Sequence, residues 1–290
     1  MNGRIMASIR YAFNTRNWQP SVQDWVKAAQ CIQKEEKERI GKFVFKKDAK
    51  SSMIGRLMLR RMLHRVTKIP YNEITLGRTE KGKPYLLNTV EDIYKDLSFN
   101  VSHHGDYVVL AAEVNTAVGI DTMKLEKPAA AKTLSEYFRI MRRQFTTDEW
   151  SQIESGQTDE EKLCTYYRLW CLKESYVKLL GIGIGFEVIR LNFNLIDKLT
   201  EDGQTSCMTT LKVDDIPVND WIFEEMLMDH HWITVALRPK NMQVKRPFTQ
   251  FEILSFNELL EDSSPLSDPD QEYGEQFIQK PNNPADMKKS

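Results

Sequence analysis

Hydrophobic positions recur with a helical period over four stretches of the chain, predicting helices at Asp48–Val66, Ser135–Gln144, Thr147–Ser155 and Leu163–Leu180. In the last of these, Tyr167, Trp170, Cys171, Ser175 and Leu179 trace one buried face. Thr147-Asp148-Glu149 supplies a cap-like start for the third. Apolar runs of strand length fall at Ile5–Phe13, Glu73–Leu76, Tyr107–Ala112, Val118–Asp121, Val188–Phe193 and Trp232–Leu237. Beyond Arg238 the pattern fades into polar sequence punctuated by Pro239, Pro247, Pro265, Pro269, Pro281 and Pro284.

The pattern also echoes itself. RLMLRRMLHRV from Arg56 lies on RLWCLKESYVK from Arg168, and each helix precedes a strand-like run. YVVLAA at Tyr107–Ala112 lies on WITVAL at Trp232–Leu237, each after a pair of histidines. Two segments repeating in the same order suggest an old duplication. The expected fold is α+β, two similar half-domains in a pseudo-two-fold arrangement. The halves are read as residues 1–115 and 116–245, with a joint near Glu113–Ala117 and a C-terminal extension, 246–290, that is partly disordered. The cleft between the halves is the default ligand site.

Composition narrows the class. At 290 residues with 41% hydrophobic and 28% charged positions, the chain is an ordinary globular protein. No apolar run reaches the ~20 residues of a membrane-crossing helix. Cys31, Cys164, Cys171 and Cys207 form no C-x-x-C pair and no secreted disulfide pattern. Arg4, Arg10 and Arg16 precede the first acid, Asp24, as in some transit peptides, but Trp18, Pro20 and Trp25 read as anchored structure, and the expected address is the cytosol.

A net charge of −1 conceals an asymmetry. Residues 1–115 hold 20 Lys and Arg against 12 Asp and Glu, an excess of eight positive charges, and the remainder carries an excess of nine negative ones. Either this is a solvated amphipathic surface, or the first half steers a polyanion.

Candidate chemistry lies in four places. Trp170, Glu174 and Lys178 share one side of the last predicted helix, as a surface ion pair or as groups oriented at the edge of a cleft. Asp121 ends the run V-G-I-D, as a turn former or as one of two carboxylates holding a divalent ion. R-T-E-K-G-K-P, Arg78–Pro84, is an exposed basic turn or a loop that closes on a phosphate. Asn100–His103, N-V-S-H, offers amide, hydroxyl and imidazole groups. Gly181–Gly185 follows a helix and is no dinucleotide fingerprint, Asp229-His230-His231 lacks partner ligands, and Cys164 with Cys171 read as packing residues.

Together these motifs resemble the Sfp-type 4′-phosphopantetheinyl transferases, in their larger eukaryotic cytosolic branch. The resemblance runs from Trp18 to Arg238 and rests on E-E-K-E-R-I-G-K-F (35–43), D-A-K (48–50), G-R-L-M (55–58), R-T-E-K-G-K-P (78–84), F-N-V-S-H (99–103), V-G-I-D (118–121) and W-C-L-K-E-S-Y-V-K (170–178). It implies transfer of the phosphopantetheine arm of coenzyme A to a serine of an apo acyl, peptidyl or aryl carrier protein, with release of adenosine 3′,5′-bisphosphate. By position it implies Mg²⁺ ligation by Asp121 and Glu174, with Glu174 also taking the serine proton. It further implies contacts to coenzyme A from Arg39, from Arg78, Thr79, Glu80, Lys81, Gly82 and Lys83, from Asn100, Val101, Ser102 and His103, and from Lys178. The expected partners are coenzyme A and carrier proteins, with no nucleic acid and no membrane, and a monomer suffices. Many bacterial relatives carry a second acid where this chain has Met123, a poor ligand for an oxygen-seeking ion, which leaves the number of protein metal ligands open. The rival readings are a non-catalytic coenzyme A or nucleotide binder, which needs neither acid, and a nucleic-acid module, which the acidic second half disfavours.

Overall fold

Capping chemistry fixes where several helices begin. Ser21, Thr146, Thr158 and Ser255 each close a capping box with the acid three residues on, Asp24, Glu149, Glu161 and Glu258. The helix expected to start on Thr147 is therefore capped by Thr146.

The computed structural model describes residues 8–127, 133–199, 201–241 and 248–282. It forms two compact units, unit 1 from Met1–Lys95, Val101–Ala112 and Gln250–Ser290, and unit 2 from Asp96–Asn100 and Glu113–Thr249. Helices and strands are mixed along the chain, as an α+β fold requires. Among the described residues no helix is long and apolar enough to cross a membrane.

Unit 1 begins with β1 (Ile9–Asn14), α1 (Val22–Gln30), α2 (Lys34–Gly41) and the 22-residue α3 (Lys46–Thr67). Met53, Ile54, Leu57, Met58, Met62 and Leu63 of α3 are fully buried and form the centre of this unit's core. A hairpin of β2 (Leu76–Arg78) and β3 (Pro84–Leu86) follows, then β4 (Leu97–His104) and β5 (Tyr107–Val114), of which Leu97–Asn100 and Glu113–Val114 belong to unit 2. The strand expected at Glu73–Leu76 begins only at Leu76, because a 3-10 turn, Tyr71–Glu73, opens at Pro70 and Tyr71 is pinned by its hydroxyl donating to Cys31 O at 3.1 Å.

Unit 2 contains β6 (Thr116–Lys124), α4 (Leu134–Met141), α5 (Thr147–Glu154) and the 22-residue α6 (Asp159–Leu180). Strands β7 (Leu191–Asn194), β8 (Thr205–Ser206), β9 (Thr210–Val213), β10 (Ile216–Val218), β11 (Ile222–Met228) and β12 (His231–Pro239) complete it. They form an antiparallel sheet ordered β6-β12-β11-β8 and a smaller one ordered β10-β9-β7. The run expected as a strand at Val188–Phe193 starts with a 3-10 turn, Val188–Arg190, and is extended only from Leu191. Asp229 and His230 occupy the two-residue turn between β11 and β12, both at positive φ (47° and 57°), so this acid–histidine run is hairpin chemistry.

The C-terminal residues return to unit 1 through β13 (Glu252–Ile253), α7 (Phe256–Leu260) and α8 (Gln271–Gln279). β13 pairs parallel to β1, giving a sheet ordered β13-β1-β5-β4. A strand and a short helix docking within Phe248–Leu260 are as the sequence allows, whereas the loosely attached tail expected from residue 262 on is corrected for residues 262–282, where α8 docks; 283–290 lie outside the described residues, as does Arg4. Prolines and acids made this stretch look unstructured, yet Leu254, Leu259, Leu260 and Phe277 are buried. The Phe277 ring stacks on Trp25 with centroids 3.6 Å apart. Gly274 lets α8 approach α1, since a Cβ there would lie 2.7 Å from Val26 Cγ2. Acids of this segment meet bases of α2 and α3, as in Lys37–Asp270 at 2.7 Å and Arg65–Glu252 at 3.2 Å.

Candidate functional site

In unit 2 the site depends on how closely β6 lies on α6. A Cβ on Gly119 would fall 2.2 Å from Ser175 O and 2.4 Å from Leu179 N, distances no side chain permits. Glycine therefore brings the strand against the helix backbone. Asp121, two residues on and on the same strand face, is buried and meets α6 one turn from Glu174. Lys178 Nζ donates to Asp121 Oδ1 at 2.5 Å. Burial pushes the Glu174 carboxyl above its ordinary value, the neighbouring charge of Asp121 pushes it further, and Lys178 pulls against both. The two carboxylates are thus near enough to repel one another, although 53 positions separate them in sequence.

Paired carboxylates of this kind suit a hard divalent cation such as Mg²⁺, which takes one or two protein carboxylates and fills its remaining positions with phosphate or water oxygens. Their mutual repulsion is the interaction such an ion would relieve. Among the described residues no group of three or more His, Cys, Asp or Glu could hold a metal. Met123 packs against the apolar cluster of unit 2.

Side chains of β4 brace the strand that carries Asp121. Ser98 Oγ accepts from Val118 N at 3.1 Å, and Asn100 Oδ1 accepts from Ile120 N at 3.4 Å. The Asn100 amide oxygen therefore holds the backbone beside Asp121. The other expected residues of this strand belong to unit 1, where Ser102 is buried and His103 exposed, while Val101 lies beside Gly55 of α3.

In unit 1, the segment Arg78–Lys83 is the tip of the β2–β3 hairpin. Thr79 N donates to Lys83 O at 2.9 Å, Gly82 N to Thr79 O at 2.8 Å, and Gly82 turns the chain at φ 82°. Glu80 and Lys81 are exposed at the tip, and burial pushes the Lys83 ammonium down. Arg78 is fastened at both ends of its guanidinium. Its Nη1 donates to Gly82 O at 2.9 Å, and its Nε and Nη2 donate to Glu36 Oε1 and Oε2 at 2.7 and 3.1 Å. Arg39 Nε donates to the same carboxylate at 2.9 Å, and Arg56 Nε lies 3.4 Å from it. Sequence reasoning named Arg39 and the hairpin but assigned no role to Glu36 or Arg56. The signal was present for one contact, since Glu36 and Arg39 stand three apart on a helix.

The geometry therefore assembles Asp121, Glu174 and Lys178 in unit 2, and Arg39 with the Arg78–Lys83 hairpin in unit 1. Known proteins are similar to this chain over most of its length. Residues 16–115 match the N-terminal family model of the 4′-phosphopantetheinyl transferases, and residues 117–236 match the model of their superfamily. The human L-aminoadipate-semialdehyde dehydrogenase-phosphopantetheinyl transferase is 42% identical over 94% of this chain and 91% of its own length. The Xenopus laevis protein of the same name is 40% identical, over 99% of this chain and 97% of its own. A Thraustochytrium phosphopantetheinyl transferase is 36% identical over 78% and 77%. The chain belongs to the 4′-phosphopantetheinyl transferase superfamily and is a transferase of that kind.

Proposed function

We propose that the chain carries the 4′-phosphopantetheine arm of coenzyme A to a serine hydroxyl of apo acyl or peptidyl carrier proteins, with Glu174 as proton acceptor and Asp121 and Glu174 as ligands of one Mg²⁺. The observation that carries this reading is the meeting of Asp121, Glu174 and Lys178 across the glycine contact of β6 with α6.

In this reading the serine Oγ forms a bond to the β-phosphorus, the bond from that phosphorus to the bridging oxygen breaks, and adenosine 3′,5′-bisphosphate leaves with the electron pair. The serine proton goes to Glu174, whose carboxyl is raised by burial and by Asp121 and so is a stronger base than an exposed carboxylate. Bound Mg²⁺ supplies neutralisation of pyrophosphate charge. Lys178 holds Asp121 in place, and Asn100 fixes the backbone beside it. Arg39, Lys81 and Lys83 offer cationic donors to the phosphates of coenzyme A, and Arg78 shapes the hairpin. Reactions of this type need mainly positioning and charge neutralisation, which these residues provide. One chain suffices in this reading, and four free thiols suit the reducing cytosol.

Incubating the protein with labelled coenzyme A, Mg²⁺ and an apo carrier domain tests the reading. The expected result is a mass gain of one phosphopantetheine on the carrier serine, and an unmodified carrier overturns it. Glu174→Gln should lower transfer by about 10²- to 10⁴-fold with coenzyme A binding retained. Transfer near the parental rate would remove Glu174 from the role of base.

A further inference from the structure

The Glu36 carboxylate is buried among three guanidiniums contributed by three different elements, Arg39 of α2, Arg56 of α3 and Arg78 of β2. One negative charge stands against three positive ones, so the cluster keeps a surplus of two. Burial alone would raise the Glu36 carboxyl, but the hydrogen bond from Arg78 and the charges of Arg56, Arg78 and Arg39 hold it below its ordinary value.

Each arginine is then oriented by a second contact or by its burial. Arg39 Nη2 donates to Ser52 Oγ at 2.5 Å, which leaves Nη1 as the nitrogen outside both bonds. Arg78 Nη1 holds Gly82 O at the hairpin tip. Arg56 lies behind the carboxylate and is itself buried, with Nη1 lacking a hydrogen-bond partner among the described residues. The surplus of positive charge reaches the surface through Arg39 and Arg78, which are part-exposed, where an anion can complete it.

We propose that Glu36 is a positioning residue for phosphate recognition: it fastens Arg39 on α2 and the Arg78–Lys83 hairpin to one another, so that the cations of both face the same anionic ligand in fixed register. The inference rests on the coenzyme A reading given above, and the ligand chemistry is a phosphate-rich nucleotide. It runs against simple field arithmetic. Deleting a negative charge beside a phosphate site strengthens the local positive potential, so electrostatics alone predicts tighter binding by Glu36→Gln. Positioning predicts the opposite, because Arg39 and Arg78 lose their common anchor and are left to repel each other.

The probe is adenosine 3′,5′-bisphosphate measured by calorimetry on the full chain, with KM for coenzyme A and kcat measured in parallel. Binding by the parent protein, weakened in Arg39→Ala, tests the coenzyme A reading itself. Should the parent not bind, or Arg39→Ala bind equally well, that reading of the cradle fails. Given its success, Glu36→Gln is expected to bind about ten- to hundredfold more weakly, raising KM with little change in kcat. Parental or tighter affinity overturns the inference. Combining Glu36→Gln with Arg39→Ala separates positioning from general structural damage. If Glu36 acts through Arg39, the double variant loses less than the product of the two single losses. Losses that multiply overturn the proposal. If Glu36→Gln folds poorly, Glu36→Asp keeps the charge and shortens the reach by one methylene, and it should also weaken binding, whereas parental affinity in that variant sinks the idea.

Discussion

The two long helices invite comparison. α3 and α6 are each 22 residues long, each ends on a left-handed residue (Lys68 at φ 60°, Gly181 at φ 70°), and each buries the arginine that opens the repeated sequence segment. Arg168 in α6 donates to Glu225 at 2.7 and 3.1 Å and to Asp197 Oδ1 at 2.8 Å. Burial pulls its guanidinium down, but these carboxylates outweigh burial and leave it above its ordinary value. Arg56 in α3 shares one carboxylate with two other arginines, and burial pushes it down to about 10 despite Glu36. The same residue type at matching places has diverged in task. Unit 2 neutralises its buried cation and uses it as structure, whereas unit 1 keeps positive charge in surplus, as the proposed phosphate site requires.

The comparison breaks or holds first on stability. Arg168→Met removes one partner of a buried, doubly bonded ion pair and strands Glu225, which is fully buried, so a loss of about 3–5 kcal/mol is expected from denaturant unfolding. Arg56→Met should cost clearly less, because two arginines still compensate Glu36 and an unpartnered buried nitrogen disappears with the side chain. Equal losses would show that the surplus in unit 1 is structural after all.

Much of this was legible in the sequence. The periodicity located α3 and α6 within a few residues, and V-G-I-D with K-E-S-Y-V-K marked the acids that the fold unites. The repeated pattern lays Arg56 on Arg168. Glu36 was hidden because its partners come from α3 and β2, and local spacing predicts only the contact within its own helix, to Arg39. The last helix, α8, was missed for a related reason. Its few apolar positions acquire meaning only against Trp25 and its neighbours, which lie more than two hundred residues earlier. The 3-10 turns at Tyr71 and Val188 escaped because short apolar runs do not distinguish a strand from a single turn.

Glycines sharpen the contrast at a smaller scale. Gly119 in unit 2 has backbone atoms 2.2 and 2.4 Å from where a Cβ would stand, and backbone cannot swing aside as a side chain does. Gly119→Ala should therefore cost at least about 1–3 kcal/mol and lower transfer, because β6 must retreat from α6 and take Asp121 with it. In unit 1 a Cβ on Gly55 would meet Val101 Cγ2 at 3.5 Å and Val108 Cγ1 at 3.8 Å, ordinary contacts inside a helix. Gly55→Ala is expected to be neutral or to stabilise by up to about 1 kcal/mol through helix propensity. Thermal melting of the two variants checks both halves, and a destabilised Gly55→Ala would contradict the packing assigned to α3.

The finest distinction is in pH, where the two glutamates shift in opposite directions. Glu36 is held low by its arginines, so its contribution to stability is present above the ordinary carboxylate value and is lost only as pH falls through the depressed one. Glu174 is raised by burial and by Asp121, so its neutral form is the favoured one, and the stability that form contributes is lost as pH rises through the raised value. The proposed cation site needs the ionised Glu174, so Mg²⁺ binding should tighten with pH over a limb lying above the usual carboxylate range. Ligand binding in unit 1 should stay flat across that limb, since Glu36 is already ionised there. Carboxyl titration by NMR in the presence of a chelator, with Glu174→Gln and Glu36→Gln assigning the two signals, reads both values directly. A Glu174 carboxyl titrating at or below an exposed glutamate would mean that Asp121 does not press on it, and the acid pair in unit 2 would lose its claim to a shared cation.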